Sequence, residues 1–358
     1  MQIKTLVSIL VLGSAAAGVS QTASAAAGCE ADGSTQFICG LTAPEDLIRV
    51  PDTNWIIVSG MADAASHKGF LYAIDAKTRA VKTVYPTANA KVNHDKKTYG
   101  ACPGPLPADA FGAHGIDVQP KGNGVHTLYA VNHALRETIE VFDMDVKGAT
   151  PTLTWVGCVV LPAKASGNGV VGLPDGGFIT TNFKDPDDKD AFAKMTAKQI
   201  TGEVLEWHPE RGWSKLPNSE MSGANGVALT KDGKTLYVAG WPDKNVTRFE
   251  RNGTSWTKKE SYDTGILTDN LRWMADGSIL VGGQDDNMPA VFQCRAPQCY
   301  VKSAAIRLDP KTGKTTRLVQ YAGGPTFEGS TTSLEVGDEI WMGSFKGDRI
   351  ARLPLPRK

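Results

Sequence analysis

The sequence predicts an all-β chain folded as a six-bladed β-propeller, and three observations carry that reading. Six times a short loop runs into an apolar run, starting at Glu45, His114, Asn168, Asn225, Asn270 and Ser330. A turn closes each run: Pro51-Asp52-Thr53-Asn54, Gly122-Asn123-Gly124, Asp175-Gly176, Asp232-Gly233, Asp276-Gly277 and Gly337-Asp338. Successive starts lie about 57 residues apart on average, which suits a propeller blade and is too irregular for a helical solenoid. A propeller brings the first residues of its innermost strands to one axis, so the expected architecture includes a central axial metal site.

The strand signals are Trp55-Ile56-Ile57-Val58, Gly69-Phe70-Leu71-Tyr72-Ala73-Ile74, Thr138-Ile139-Glu140-Val141-Phe142, Ser278-Ile279-Leu280-Val281 and Glu339-Ile340-Trp341-Met342. Each is rich in β-branched or aromatic residues and bounded by turn residues. Helical spacing is confined to residues 187–200, where Pro186 and several aspartates suit a helix start and Ala191, Phe192 and Met195 recur on one side. That helix is expected to decorate one face. Residues 91–111, with Pro103, Pro105 and Pro107, read as a long loop between the first two blades and as a wall of a binding site.

Lys4, the apolar run from Leu6 to Leu12 and Ala23-Ser24-Ala25 read as an export signal at residues 1–25. Residues 26–358 are then one propeller domain, periplasmic or secreted, with no later stretch able to span a bilayer. Lys plus Arg and Asp plus Glu are balanced at 38 each, so no global field favours nucleic acid, and partners should be small molecules recognised locally. Oligomeric state is not legible. The 6 cysteines suit an oxidising compartment. Of the possible pairings the preferred set is Cys294 with Cys299, Cys29 with Cys39, and Cys102 with Cys158; no Cys-x-x-Cys spacing suggests zinc or redox chemistry.

Gly167-Asn168-Gly169-Val170-Val171-Gly172 formally matches a dinucleotide fingerprint, but the turn Pro174-Asp175-Gly176-Gly177 follows where a helix should begin. Neither a Gly-x-Ser-x-Gly elbow nor a His-Glu-x-x-His helix is present. Asn-Gly is ordinarily a hairpin turn. Here Asn168-Gly169 and Asn225-Gly226 are each followed by their own Asp-Gly, so the asparagines are better placed at inner-strand starts.

Glu45, Asn168, Asn225, Asp269 and Asn270 then form one set of two carboxylates and three amides. Hard oxygens of this kind suit Ca²⁺ better than Zn²⁺ or Cu²⁺. The plainer alternative is that they are turn and capping residues. His114 and His133 would lie toward the same face of one blade, where imidazole suits proton transfer near neutral pH; the plainer alternative is a structural role for each.

These residues resemble the paraoxonase/arylesterase family, calcium-dependent lactonases among the six-bladed propellers that include gluconolactonases and strictosidine synthases. The resemblance covers residues 44–354. It rests on Pro44-Glu45-Asp46, His114-Gly115-Ile116, Leu128-Tyr129-Ala130-Val131-Asn132-His133, Thr138-Ile139-Glu140-Val141-Phe142, Ala224-Asn225-Gly226-Val227 with Asp232-Gly233-Lys234, Leu267-Thr268-Asp269-Asn270 and Gly329-Ser330-Thr331. It implies that Glu45, Asn168, Asn225, Asp269 and Asn270 hold a catalytic calcium and that His114 and His133 form a histidine dyad. A second, structural calcium would use Asp46 and the carbonyl of Ile116, but Gly169 stands where a further aspartate ligand is implied. Phe183 and Gln284 depart from the Asp and His often found at those places.

The implied activity is hydrolysis of lactones or aryl esters by His-activated water on a metal-polarised carbonyl. Alternatives are a sugar-lactone hydrolase, a strictosidine synthase-like enzyme that needs no metal, and a non-catalytic calcium-stabilised propeller that binds a partner.

Overall fold

A computed structural model describes residues 28–62, 68–294 and 299–356. The expected export signal lies outside the described residues. Six sheets follow one another along the chain, antiparallel throughout except for one short added strand in the second. Their inner strands are Pro44–Arg49, Ala113–Gly122, Ser166–Gly172, Ala224–Leu229, Leu267–Trp273 and Ser330–Val336. Every start expected from the sequence falls within the first four positions of one of these strands. Each sheet then zigzags outward, as in the second blade, where Ala113–Gly122, Val125–Asn132, Thr138–Asp145 and Thr152–Val160 pair in that order.

The last blade is built differently. Three strands come from Ser330–Val336, Glu339–Ser344 and Arg349–Pro354, and the outermost is Gln36–Cys39, with Gln36 opposite Arg352 and Cys39 opposite Arg349. This seam closes the ring, and the Cys29–Cys39 disulfide pins its end. The other two disulfides, Cys102–Cys158 and Cys294–Cys299, complete the preferred pairing.

Apolar residues are buried between blades, so the core is divided into seams. Ile57, Leu71, Leu128 and Phe142 fill the first seam, Val131, Ile139, Phe178 and Leu205 the next, and Leu47, Ile56, Trp341 and Ile350 lie beside the closure. Such a ring depends on sheet faces packing against one another, which the alternating β-branched and aromatic strands supply.

Two local features turn the inner-strand starts toward the axis. In all six blades the register between the inner strand and its neighbour slips at these residues: around Glu45, His114 with Gly115, Asn168 with Gly169, Asn225 with Gly226, Asp269 with Asn270, and Thr331. A bulged residue leaves the ladder and its side chain is re-aimed. The glycines let neighbouring inner strands touch. A Cβ on Gly169 would lie 2.8 Å from the Asn225 carbonyl oxygen, and one on Gly226 would lie 2.6 Å from the Asn270 Cα. The Asn-Gly pairs are therefore close-approach points between blades, with the asparagine left free to face the axis.

Three expectations need correction. The helix expected over residues 187–200 is only Ala191–Thr196, here α1. Asp185 and Asp188 accept hydrogen bonds from the backbone N–H of Asp187 and Asp190, holding turns that compete with helix, and Lys198 has a positive φ of 54°. A second short helix, α2 (Met288–Gln293), was not expected; Asn287 caps it by accepting from the Ala290 N–H at 3.0 Å. The proline-rich segment does not wall the cavity described below. Its Lys91–Val92 pairs in parallel with the outer strand of the second blade, and Cys102 fastens it there. Among the described residues no helix is long and apolar enough to cross a membrane.

Candidate active site at the propeller axis

The inner-strand starts form the floor of a cavity of about 520 Å³, to which Glu45, Asn168, Asn225 and Asp269 all contribute. Two aromatic-bearing helices form its upper wall. Phe192 on α1 and Phe292 on α2 meet edge to face with ring centroids 4.7 Å apart, and Phe183 and Trp241 pack beneath them. The aromatic face explains why Phe192 and Phe292 remain partly exposed despite their size.

One side of the cavity is a chain of three side chains. His114 Nδ1 and His133 Nε2 are 2.8 Å apart, and His133 Nδ1 is 2.9 Å from both carboxylate oxygens of Glu137. A carboxylate only accepts, so His133 donates from Nδ1. With neutral imidazoles, its Nε2 then accepts from His114 Nδ1–H, which leaves the lone pair of His114 Nε2 as an acceptor on the cavity side. That nitrogen lies 3.5 Å from the Asn168 side-chain nitrogen and 3.6 Å from Glu45 Oε1. Burial pulls the His114 pKa down to about 4, against the opposing charges of Asp46 and Glu137.

The turn that presents this chain is shaped by Asn132. Its side-chain oxygen accepts from Gly112 and Ala134 N–H, while its amide donates to the carbonyls of Ala134 and Arg136 and to Thr138 Oγ1. Glu137 also accepts from Ser166 Oγ and Gly167 N–H, so its orientation is held from the next blade. Sequence reasoning missed Glu137, although an acid four residues after a candidate base within one hairpin was the available signal.

The structure brings all five expected metal-binding residues together. Asn270 donates from Nδ2 to Glu45 Oε1 at 2.8 Å, and Asn225 and Asp269 both line the cavity floor. Gln284 donates to Asp269 Oδ2 at 2.9 Å and to the Ser330 carbonyl at 2.8 Å, and Trp241 Nε1 donates to Gln284 Oε1. Burial, aided by Asp46, pushes the Glu45 pKa up to about 8, and burial with the Glu45 charge raises that of Asp269. These are two carboxylates forced into one desolvated place.

Three buried oxygens of the cluster have no hydrogen-bond partner: Glu45 Oε2, Asn168 Oδ1 and Asn225 Oδ1. An orphaned buried acceptor costs about 1–3 kcal/mol, and a charged one more. Among the described residues no group of three or more His, Cys, Asp or Glu is arranged to hold a metal ion. Any ion here would therefore rely on amide oxygens as well as carboxylates, a donor set that suits calcium.

The residues expected to hold a second ion do not fit one. Asp46 Oδ1 accepts from the Leu47 N–H at 2.9 Å, and Oδ2 accepts from the Ile116 N–H at 3.0 Å and from Arg272 Nη2. The Ile116 carbonyl accepts from the same guanidinium at 3.1 Å. Arg272 escaped the sequence reading, although a charged residue inside the apolar run Leu271-Arg272-Trp273 was a visible anomaly.

No protein-family model matches the chain. Serum paraoxonase/lactonase 3 of Homo sapiens is 27% identical over 179 residues, 49% of this chain and 49% of that protein. The Oryctolagus cuniculus protein of the same name is 25% identical over 243 residues, 66% of this chain and 67% of its own length. The chain thus spans about half the length of the human relative it matches. Among solved structures, a gluconolactonase of Xanthomonas campestris aligns with a TM-score of 0.51 over 90% of this chain and 89% of that chain, at 14% identity. A luciferin-regenerating enzyme aligns with a TM-score of 0.53 over 88% and 92%, at 12% identity. Such identities show the shared fold alone.

Six bulged inner strands around one axial cavity define a six-bladed propeller with a polar floor. The chain is thus similar over part of its length to serum paraoxonase/lactonase 3, and it shares its propeller fold with a gluconolactonase.

Proposed function

We propose that the chain is an exported hydrolase of lactones and related aryl esters, using calcium held by Glu45, Asn168, Asn225, Asp269 and Asn270. The observation that carries this reading is one cavity where an imidazole nitrogen with an acceptor lone pair, anchored through His133 to Glu137 and touched only by a long contact from the Asn168 amide, stands beside three unpartnered buried oxygens. The lactonase names of the relatives support the substrate class, and three disulfides suit an oxidising compartment.

Calcium, when bound, supplies a Lewis acid for the substrate carbonyl and the negative charge that develops on it. His114 Nε2 takes a proton from a water whose oxygen bonds to the carbonyl carbon. The ester C–O bond then breaks, and the same proton passes to the departing oxygen, giving a hydroxy acid from a lactone. His133 holds the His114 ring through its Nδ1–H, and Glu137 fixes the His133 tautomer and offsets the positive charge borne during proton transfer. Phe183, Phe192, Trp241 and Phe292 exclude water and suit an alkyl or aryl substituent. A sugar lactone would bring hydroxyl groups against these rings without partners, which favours apolar lactones over the sugar-lactone alternative.

The test is hydrolysis of γ- and δ-lactones, aryl acetates and an organophosphate triester, with and without calcium. Lactone turnover should vanish in chelator and return with calcium, and Asp269→Ala or Asn225→Ala should abolish it. Full activity in either variant would refute the assignment of the cation. Metal-independent hydrolysis would refute the role of calcium, and no hydrolysis with or without calcium would favour a strictosidine synthase-like condensing enzyme or a binding protein.

A further inference from the structure

Arg272 is a nearly fully buried arginine beside the axis, and its guanidinium is spent on three blades at once. Nε donates to the Leu47 carbonyl at 2.6 Å, Nη1 to the Leu271 carbonyl at 2.9 Å, and Nη2 to Asp46 Oδ2 and to the Ile116 carbonyl. Leu47 and Asp46 belong to the first inner strand, Ile116 to the second and Leu271 to the fifth. A desolvated arginine is stable only when its charge is paired and its fork is satisfied, and both conditions hold here.

We propose that Arg272 is the permanent cation of the Asp46 cluster, so that the propeller axis takes one exchangeable divalent ion, at Glu45. The location of that ion rests on the proposed function, whereas the exclusion of an ion at Asp46 does not. Both Asp46 oxygens and the Ile116 carbonyl already accept hydrogen bonds, while the unpartnered oxygens lie on the Glu45 side. The neighbouring strand closes the remaining opening for a ligand. A side chain at position 169 would meet the Asn225 carbonyl oxygen at 2.8 Å, so a carboxylate does not fit there without displacing backbone. A guanidinium tethered to its strand cannot be chelated, so the three blades it joins stay joined when calcium is withdrawn.

The experiment is elemental analysis of the purified chain after equilibrium dialysis against calcium, with thermal unfolding in calcium and in chelator. Wild type and Asp46→Asn should each hold one calcium per chain, and Glu45→Gln none. Arg272→Met exposes the Asp46 carboxylate and the carbonyls of Leu47, Ile116 and Leu271 to an ion, so its melting temperature should rise with calcium more than that of wild type. Two ions in wild type, or a single ion lost in Asp46→Asn and kept in Glu45→Gln, would overturn the proposal. Were Arg272→Met not to fold, the counts in wild type and Asp46→Asn would still decide it. A wild type that holds no ion would instead refute the axial cation of the proposed function. The Arg272 assignment would then be judged by the thermal shift of Arg272→Met, and a variant indifferent to calcium would sink it.

Discussion

Glu45 and Asp46 are adjacent in one strand, equally buried and both acidic, yet their surroundings are opposite. Asp46 is enclosed by two backbone N–H groups and a guanidinium, with both oxygens satisfied. Glu45 has one oxygen on Asn270 and one on nothing, and burial together with the Asp46 charge raises its pKa to about 8. The same side-chain chemistry thus serves two ends. Where the fold supplies every partner, a buried carboxylate joins blades; where it leaves oxygens open, the site waits for something from outside.

The contrast predicts opposite signs for a mutation that strips Asp46 of its partner and one that neutralises Glu45. The largest effect should come from Arg272→Met, which strands the Asp46 charge in the interior. In chelator it should lower unfolding free energy by about 3–5 kcal/mol, read from denaturant midpoints at constant m-value. A loss below 1 kcal/mol would show that the Asp46 cluster does not hold the blades. Gly169→Ala comes next, at about 1–3 kcal/mol, because its new methyl group meets backbone of the next strand.

Glu137→Gln should lower kcat by about 10- to 100-fold, the usual cost of losing a group that orients a site imidazole, with little change in melting temperature. An equal fall in stability and rate would make Glu137 merely structural. The smallest effect is the most diagnostic. Above pH 8, where the raised pKa leaves Glu45 ionised, Glu45→Gln should stabilise the calcium-free protein by about 1 kcal/mol, since it removes a buried charge with one unpartnered oxygen, and at any pH it should abolish stabilisation by calcium. Destabilisation of the calcium-free form would erase the distinction between the two clusters.

The inner-strand starts were legible because each repeat carries its own turn, so the blade count and the gathering of Asn168, Asn225 and Asp269 could be read from spacing. The closing strand Gln36–Cys39 was not, since four residues carry little pattern and their partner lies more than 300 positions away. The helix α2 is likewise too short for periodicity to register. Residues 91–111 misled because length suggested function, whereas the segment is fastened to the outside of the second blade by Cys102 and a parallel pairing. Glu137 and Arg272 were passed over for another reason. Each carries a local sequence signal, but its role shows only once the blade that holds its hydrogen-bond partners is known.

The seam between Gln36–Cys39 and Arg349–Arg352 has a consequence for biogenesis. Ribosomal synthesis delivers one side of that pairing early and the other near the end, so the annulus stays an open horseshoe until residues 349–352 emerge. Any truncation upstream of them leaves two bare sheet edges with unpaired amides, and such a fragment would present itself to proteases and to other chains.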